Sequence, residues 1–100
     1  MEKNMQKRGQ LTNRIQNKSK ELLGYEISQI ELRLMVHIQY LMVNEQKIDP
    51  NKISLEERQV LSDWRKKGFI DGGASGLAIT KEFWDAICEI VFLGYVDLIE

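Results

Sequence analysis

The sequence predicts a mainly α protein with one small β-hairpin, an α+β fold of four helices and two short strands. Three observations lead to this prediction. A capping signal at Ser54 opens an amphipathic segment, a glycine-rich loop at 71–76 separates two short apolar runs, and a second capping signal at Ser28 opens a long apolar helix. Because these signals agree, we expect one domain over residues 11–100, behind a disordered basic arm at 1–10.

The first predicted helix spans roughly residues 11–23. A thin apolar stripe at helical spacing is formed by Leu11, Ile15, Leu22 and Leu23, and Gly24 follows as a residue that ends helices.

The second predicted helix is the core helix, opened by a Ser-Gln-Ile-Glu capping box. Its apolar residues fall on two faces: Ile30, Leu34, Ile38 and Leu41 on one, and Leu32, Met35, Val36, Met42 and Val43 on the other. A helix that is apolar on two sides is buried between other elements. His37 and Tyr40 are expected to pack at the edge of this core, since no second histidine, cysteine or carboxylate cluster offers a metal site.

Only residues 46–53, interrupted by Pro50, separate this helix from the next, so we expect a turn or a single-turn helix there. The third helix should cover 55–67, with a basic last turn and Gly68 as its stop. Its apolar side is expected to consist of Leu55, Val60, Leu61 and Trp64.

Two apolar runs at 69–70 and 77–79 then form the predicted hairpin. Thr80 is placed to cap the last helix, which should run over about 81–93 and stop at Gly94.

This last helix and the tail behind it carry more apolar surface than a 100-residue monomer easily hides. Exposed apolar patches mark interfaces, so a protein partner or a homodimer is expected to cover this one. The alternative, burial in the monomer's own core, stays open. The candidate interface residues are Trp84, Ile87, Val91, Phe92, Tyr95 and Leu98.

Composition places the chain among ordinary soluble proteins, with 43% apolar and 29% charged residues and a net charge of −1. The single cysteine, Cys88, excludes an internal disulfide and is expected to be a small buried hydrophobe. A polar N-terminus and the lack of a long apolar run predict a cytoplasmic protein without a membrane partner.

No catalytic chemistry is predicted. The loop glycines lack the Lys-Ser/Thr of a phosphate-binding loop, and Gly73-Ala74-Ser75-Gly76 lacks the spacing of a nucleophile elbow. One histidine and one cysteine on different helices assemble no catalytic pair. We therefore expect no enzyme, no cofactor, no metal and no small-molecule substrate.

A family resemblance lies in the run from Leu61 through Trp64-Arg65-Lys66-Lys67-Gly68-Phe69-Ile70, a short loop, and then Gly76-Leu77-Ala78-Ile79-Thr80-Lys81-Glu82. This run resembles the second half of a winged-helix domain of the multiple-antibiotic-resistance-regulator (MarR-like) repressors. The opening of the second helix, residues 27–31, is also similar, and the resemblance covers about residues 27–93. It differs from the family in its shortened helix-turn-helix, because only residues 46–53 are available for the first helix of that pair.

The resemblance implies that the 55–67 helix is a recognition helix and that the hairpin is a wing. The nucleic-acid-binding candidates are then Arg58, Gln59, Ser62, Arg65 and Lys66, joined by Lys7, Arg8 and Arg14 from the N-terminal twenty residues, which hold six basic residues and one acid. Glu56 and Glu57 at the helix start oppose a phosphate-lined groove, and the loop at 71–76 brings no basic residue.

Three hypotheses follow. The first is a DNA-linked transcriptional regulator of phage or mobile-element type. The second is a protein–protein interaction module, an adaptor or inhibitor that uses the winged-helix scaffold without binding DNA. The third is a homodimer whose only derivable property is assembly through the last helix.

Overall fold

The computed structural model of the chain describes residues 9–72 and 77–96. Within these ranges it is mainly helical, with one two-stranded antiparallel hairpin, so the α+β class expected from the sequence is confirmed. The elements are α1 (Asn13–Leu23), α2 (Gln29–Val43), a 3-10 turn (Pro50–Lys52), α3 (Leu55–Lys66), β1 (Ile70–Asp71), β2 (Ala78–Ile79) and α4 (Lys81–Tyr95).

Short polar side chains set the helix starts. Ser28 and Ser54 both form complete capping boxes, in which the serine hydroxyl accepts from the third helical N–H and a glutamate accepts from the serine N–H. Thr12 and Thr80 cap α1 and α4 with the hydroxyl group alone, which accepts from a backbone N–H of the first turn. Gly24 ends α1 with a φ of 87°, a left-handed conformation that glycine adopts without strain.

The link from α2 to α3 is a single 3-10 turn, as the sequence predicts. The Asp49 carboxylate accepts a 2.9 Å hydrogen bond from the Asn51 N–H and so opens the turn. Ile48 and Ile53, on either side of it, are both buried. These two side chains attach the connection to the core.

The core is formed where α1 and α2 pack on α4 and where α2 packs on α3. Trp64 of α3 meets Phe83 of α4 edge-on at 4.9 Å between ring centroids, and Phe69 stacks on the same ring at 4.7 Å. These three rings join α3, the start of the hairpin and α4, which fixes how the hairpin sits against α3.

The sequence predicts that the last helix stops at Gly94, but the helix continues to Tyr95. Gly94 is buried, and a Cβ placed on it would lie 3.3 Å from Ile15 Cδ1. The glycine therefore allows α1 to approach α4 closely instead of ending the helix.

Several apolar residues expected in the core are exposed. Tyr40 is 58% exposed, Val43 is 68% exposed and Leu55 is 80% exposed, and Met42 is also exposed. On the last turn of α2 the described elements cover Leu41 but not Tyr40, Met42 and Val43, and Leu55 lies on the solvent side of the first turn of α3. Cys88, expected to be buried, is only partly so.

The N-terminal segment joins the fold at Gly9, which the sequence assigns to the disordered arm. The Gly9 N–H donates to the Gly94 carbonyl at 2.8 Å, and the Gln29 side-chain amide donates to the Gly9 carbonyl at 2.7 Å. A Cβ on Gly9 would lie 2.6 Å from the Tyr95 hydroxyl oxygen, and φ is +77°. The remainder of the predicted arm, residues 1–8, lies outside the described residues.

Candidate binding surfaces

The solvent face of α3 carries four of the eight predicted nucleic-acid-binding residues. Arg58, Ser62 and Lys66 follow one another at i, i+4 spacing, and Gln59 lies beside them. Arg58, Gln59 and Lys66 are exposed and Ser62 is partly exposed. The structure therefore brings these four residues together on one uncovered row.

Arg65, the fifth candidate on α3, faces the hairpin. Its Nε donates a 2.9 Å hydrogen bond to the Gly72 carbonyl at the end of β1. An open groove of about 460 Å³ runs between the last turn of α3 and the hairpin, lined by Arg65, Asp71 and Thr80 among others. Arg65 thus keeps its positive charge at this groove while holding the hairpin beside α3.

The acidic side chains of α3 offset most of its positive charge. The Glu57 carboxylate accepts from the Ser54 N–H in the capping box, and the Asp63 carboxylate accepts a 3.0 Å hydrogen bond from the Gln59 amide. Residues 55–67 hold four basic and three acidic side chains. The helix as a whole is therefore close to neutral, and its attraction for phosphates is weak.

A half-buried carboxylate sets the orientation of α3. The Tyr25 hydroxyl donates to Glu31 Oε2 at 2.5 Å, and the Trp64 indole N–H donates to the same oxygen at 3.2 Å. The other oxygen of Glu31 accepts from the Ser28 N–H at 3.1 Å. One side chain of α2 thus caps its own helix and attaches α3 through Trp64.

Tyr25 lies in the middle of this cluster. Burial, together with the hydrogen bond to the Glu31 carboxylate and the negative charge of that group, raises the pKa of Tyr25 well above its usual range. The ammonium of Lys67 lies 3.5 Å from the centre of the tyrosine ring. Sequence spacing alone did not reveal this cluster, because its members come from three separate segments.

Of the three N-terminal candidates, only Arg14 lies within the described residues, and it is not on α3. Arg14 lies on α1, which packs against α4, whereas Lys7 and Arg8 lie outside the described residues. Gly9, bonded to Gln29 at the start of α2, marks where the described chain begins.

The predicted partner surface on α4 is reduced by the structure. Ile87 is 0% exposed and Val91 is 6% exposed, so both belong to the monomer's own core, because α1 and α2 pack on that side of α4. Trp84 and Tyr95 are partly exposed and Phe92 is 50% exposed. The sixth candidate, Leu98, lies outside the described residues.

Two apolar grooves flank the exposed part of α4. The first, here called the α1–α4 groove, has a volume of about 430 Å³ and is lined by Lys18, Cys88, Glu89, Phe92 and Leu93. Of these five residues only Phe92 is among the predicted interface residues, because the groove depends on how α1 pairs with α4.

The second groove lies on the hairpin side of the molecule. It has a volume of about 280 Å³ and is lined by Met42, Val43, Ile79 and Trp84. The sequence pattern places Met42 and Val43 in the core. Their exposure, and with it this groove, could therefore not be predicted from the sequence.

Among the described residues, no group of three or more His, Cys, Asp and Glu side chains is arranged to hold a metal ion. No helix in these ranges is long and apolar enough to cross a membrane. No protein-family model matches the chain, and no curated protein and no solved structure matches it.

Proposed function

We propose that this chain is a small, non-catalytic binding protein of winged-helix type that docks α3 on duplex DNA, as a transcriptional regulator does. The observation that carries the proposal is the uncovered row of Arg58, Ser62 and Lys66 beside a hairpin fastened to α3 by Arg65. A helix with uncovered polar and basic side chains suits a major groove, and an adjoining hairpin suits backbone contacts.

The order of elements supports the same proposal. A core helix, a short turn, an uncovered helix, a hairpin and a closing helix follow one another, with the 3-10 turn Pro50–Lys52 where winged-helix repressors have a further helix. The near-neutral charge of α3 limits the number of phosphates that one copy neutralises. Binding is therefore expected to be weak and to need low salt.

The test is fluorescence anisotropy of labelled duplex DNA titrated with the full chain at several salt concentrations. Lys66→Gln should weaken binding and reduce the slope of log affinity against log salt by about 1, because one phosphate contact is lost. Lys20→Gln is the matched control, since Lys20 is an exposed lysine on α1 that pairs with Glu26. It should leave the slope unchanged.

The DNA proposal fails if no duplex binds at low salt. It also fails if Lys66→Gln and Lys20→Gln weaken binding equally, because a uniform loss of charge would then explain the effect without α3.

A second candidate is a protein–protein interaction module that does not bind DNA. Leu55 supports it: this leucine is 80% exposed on the first turn of α3, beside Glu56. An exposed apolar side chain followed by acidic residues suits a protein surface better than a phosphate-lined groove.

The two candidates differ in the response to Leu55→Lys. For DNA binding this substitution adds a positive charge and should strengthen association at low salt. For a protein partner it should abolish capture of that partner from nuclease-treated lysate, measured by quantitative mass spectrometry against Lys20→Gln. A set of captured proteins identical for both variants would contradict the second candidate.

A further inference from the structure

The outer face of α4 carries a projecting ring and a groove side by side. Phe92 is 50% exposed and forms one wall of the α1–α4 groove of about 430 Å³, which Cys88 and Leu93 also line. A closed apolar cavity of about 150 Å³ is enough to hold benzene. The groove therefore has room for a phenyl ring, and one surface supplies both the ring and the groove.

Opposite charges border the same groove. Lys18 Nζ lies 3.9 Å from Glu89 Oε2 and 3.2 Å from Glu21 Oε2, so its contact with Glu89 within the chain is loose. A two-fold axis beside this pair, with the two α4 helices antiparallel, is the arrangement that sets Lys18 of each copy opposite Glu89 of the other. A second copy thus supplies both complementary charges, and a net charge of −1 produces little repulsion between copies.

We infer that the chain forms a two-fold dimer through this face, with Phe92 of each copy seated in the α1–α4 groove of the other. A two-fold interface requires one patch that complements itself, and a ring, a groove and a pair of opposite charges meet that requirement. The inference does not depend on DNA binding, since none of these side chains belongs to α3.

Sedimentation equilibrium of the full chain without DNA tests it, from a few micromolar to several hundred micromolar protein. The expected mass is twice the 11.7 kDa of one chain. Phe92→Asp should return the mass to that of one chain, whereas Val43→Asp, which places the same charge on another exposed apolar residue, should leave the dimer intact. Circular dichroism confirms that each variant is folded.

A second experiment does not rely on Phe92. Lys18→Glu and Glu89→Lys should each weaken self-association about tenfold, because like charges then face each other twice. Mixing the two variants should restore affinity to about that of the unchanged chain, since a mixed dimer again places opposite charges together at both contacts. Charges that paired only within one chain would give no such preference for mixed dimers.

A mass of one chain at all concentrations overturns the inference and leaves the face to a different protein or to none. A dimer that survives Phe92→Asp, or mixed variants that do not associate, assigns self-association to another surface and overturns it as well. DNA binding by a monomer would remove this inference alone, and a dimer without DNA binding would remove the proposed function alone.

Discussion

Glu31 shows how one residue connects several elements. Its Oε1 completes the capping box of α2, and its Oε2 accepts from the Tyr25 hydroxyl and from the Trp64 indole N–H. Glu57 occupies the same capping position in α3, and its Oε1 accepts from the Ser54 N–H. Comparing substitutions at Glu31 and Glu57 therefore separates the stability that a capping box contributes from the stability that the Tyr25–Glu31–Trp64 cluster contributes.

Glu31→Gln should destabilise the protein by about 2 kcal/mol, whereas Glu57→Gln should cost less than about 0.5 kcal/mol. Glutamine preserves a capping box, but at residue 31 its amide nitrogen cannot accept from Tyr25 and Trp64 while its oxygen caps. Urea denaturation followed by circular dichroism measures both values. Equal losses would show that the cluster contributes nothing beyond the cap.

Tyr25 makes stability depend on alkaline pH. Because folding raises the pKa of Tyr25, the protonated hydroxyl contributes to the free energy of unfolding. This contribution is fully present below the ordinary tyrosine pKa of about 10 and is lost as pH rises above it. Tyr25→Phe should therefore be less stable than the unchanged chain near neutral pH, and the difference should narrow above about pH 10. Tyr40→Phe, at an exposed tyrosine, is the control.

Urea midpoints measured from neutral pH to about pH 11 test this prediction. If the difference between Tyr25→Phe and the unchanged chain stayed constant across that range, the hydroxyl would not carry the pH dependence.

At the scale of elements, the contact between α1 and α4 depends on Gly94. A Cβ at this position would lie 3.3 Å from Ile15 Cδ1, closer than most such contacts. Ile15→Val removes that methyl group. The two positions therefore form a natural double-mutant cycle between the helices.

The double variant Gly94→Ala with Ile15→Val should be more stable than the sum of the single effects by about 0.5–1 kcal/mol. The added methyl group at residue 94 occupies the space that the valine leaves. Urea denaturation of the four proteins gives the coupling energy. Additive effects would mean that α1 moves away from Gly94 without cost.

The order of the elements could be predicted from the sequence because local signals set it. The caps at Ser28 and Ser54 involve residues three apart, and Pro50 limits the link to one turn, so no tertiary knowledge was needed. Exposure could not be predicted in this way. Tyr40 and Leu55 follow the helical apolar pattern, but no described element folds over them.

The same distinction between local and tertiary features applies to the candidate surfaces. The row Arg58, Ser62 and Lys66 was predictable, because it is the side of α3 opposite to the buried Leu61 and Trp64. The α1–α4 groove was not, since it exists only after two distant helices pair. The burial of Ile87 and Val91 reflects the same pairing, which covers apolar residues that the sequence assigned to a partner.

At the scale of the whole molecule, Gly9 connects the beginning of the described chain to α4 and α2. Its N–H and carbonyl bond to the Gly94 carbonyl and the Gln29 amide. Removing residues 1–10 should therefore destabilise the protein by about 1–2 kcal/mol more than removing residues 1–8, because only the longer deletion breaks both bonds. Urea denaturation of the two truncated chains gives the difference.

Equal stability of the two truncated chains would show that hydrogen bonds to water replace those of Gly9 at no cost in free energy. The domain would then start at the cap of α1.

The bond between Gly9 and Gly94 also holds the first described segment against the last described helix, so the described path is nearly a ring. Such a topology permits circular permutation: a short linker across this junction, with new termini opened at the exposed residues 45–47, would keep every helix and the hairpin. The permuted protein would carry its free ends near the 3-10 turn.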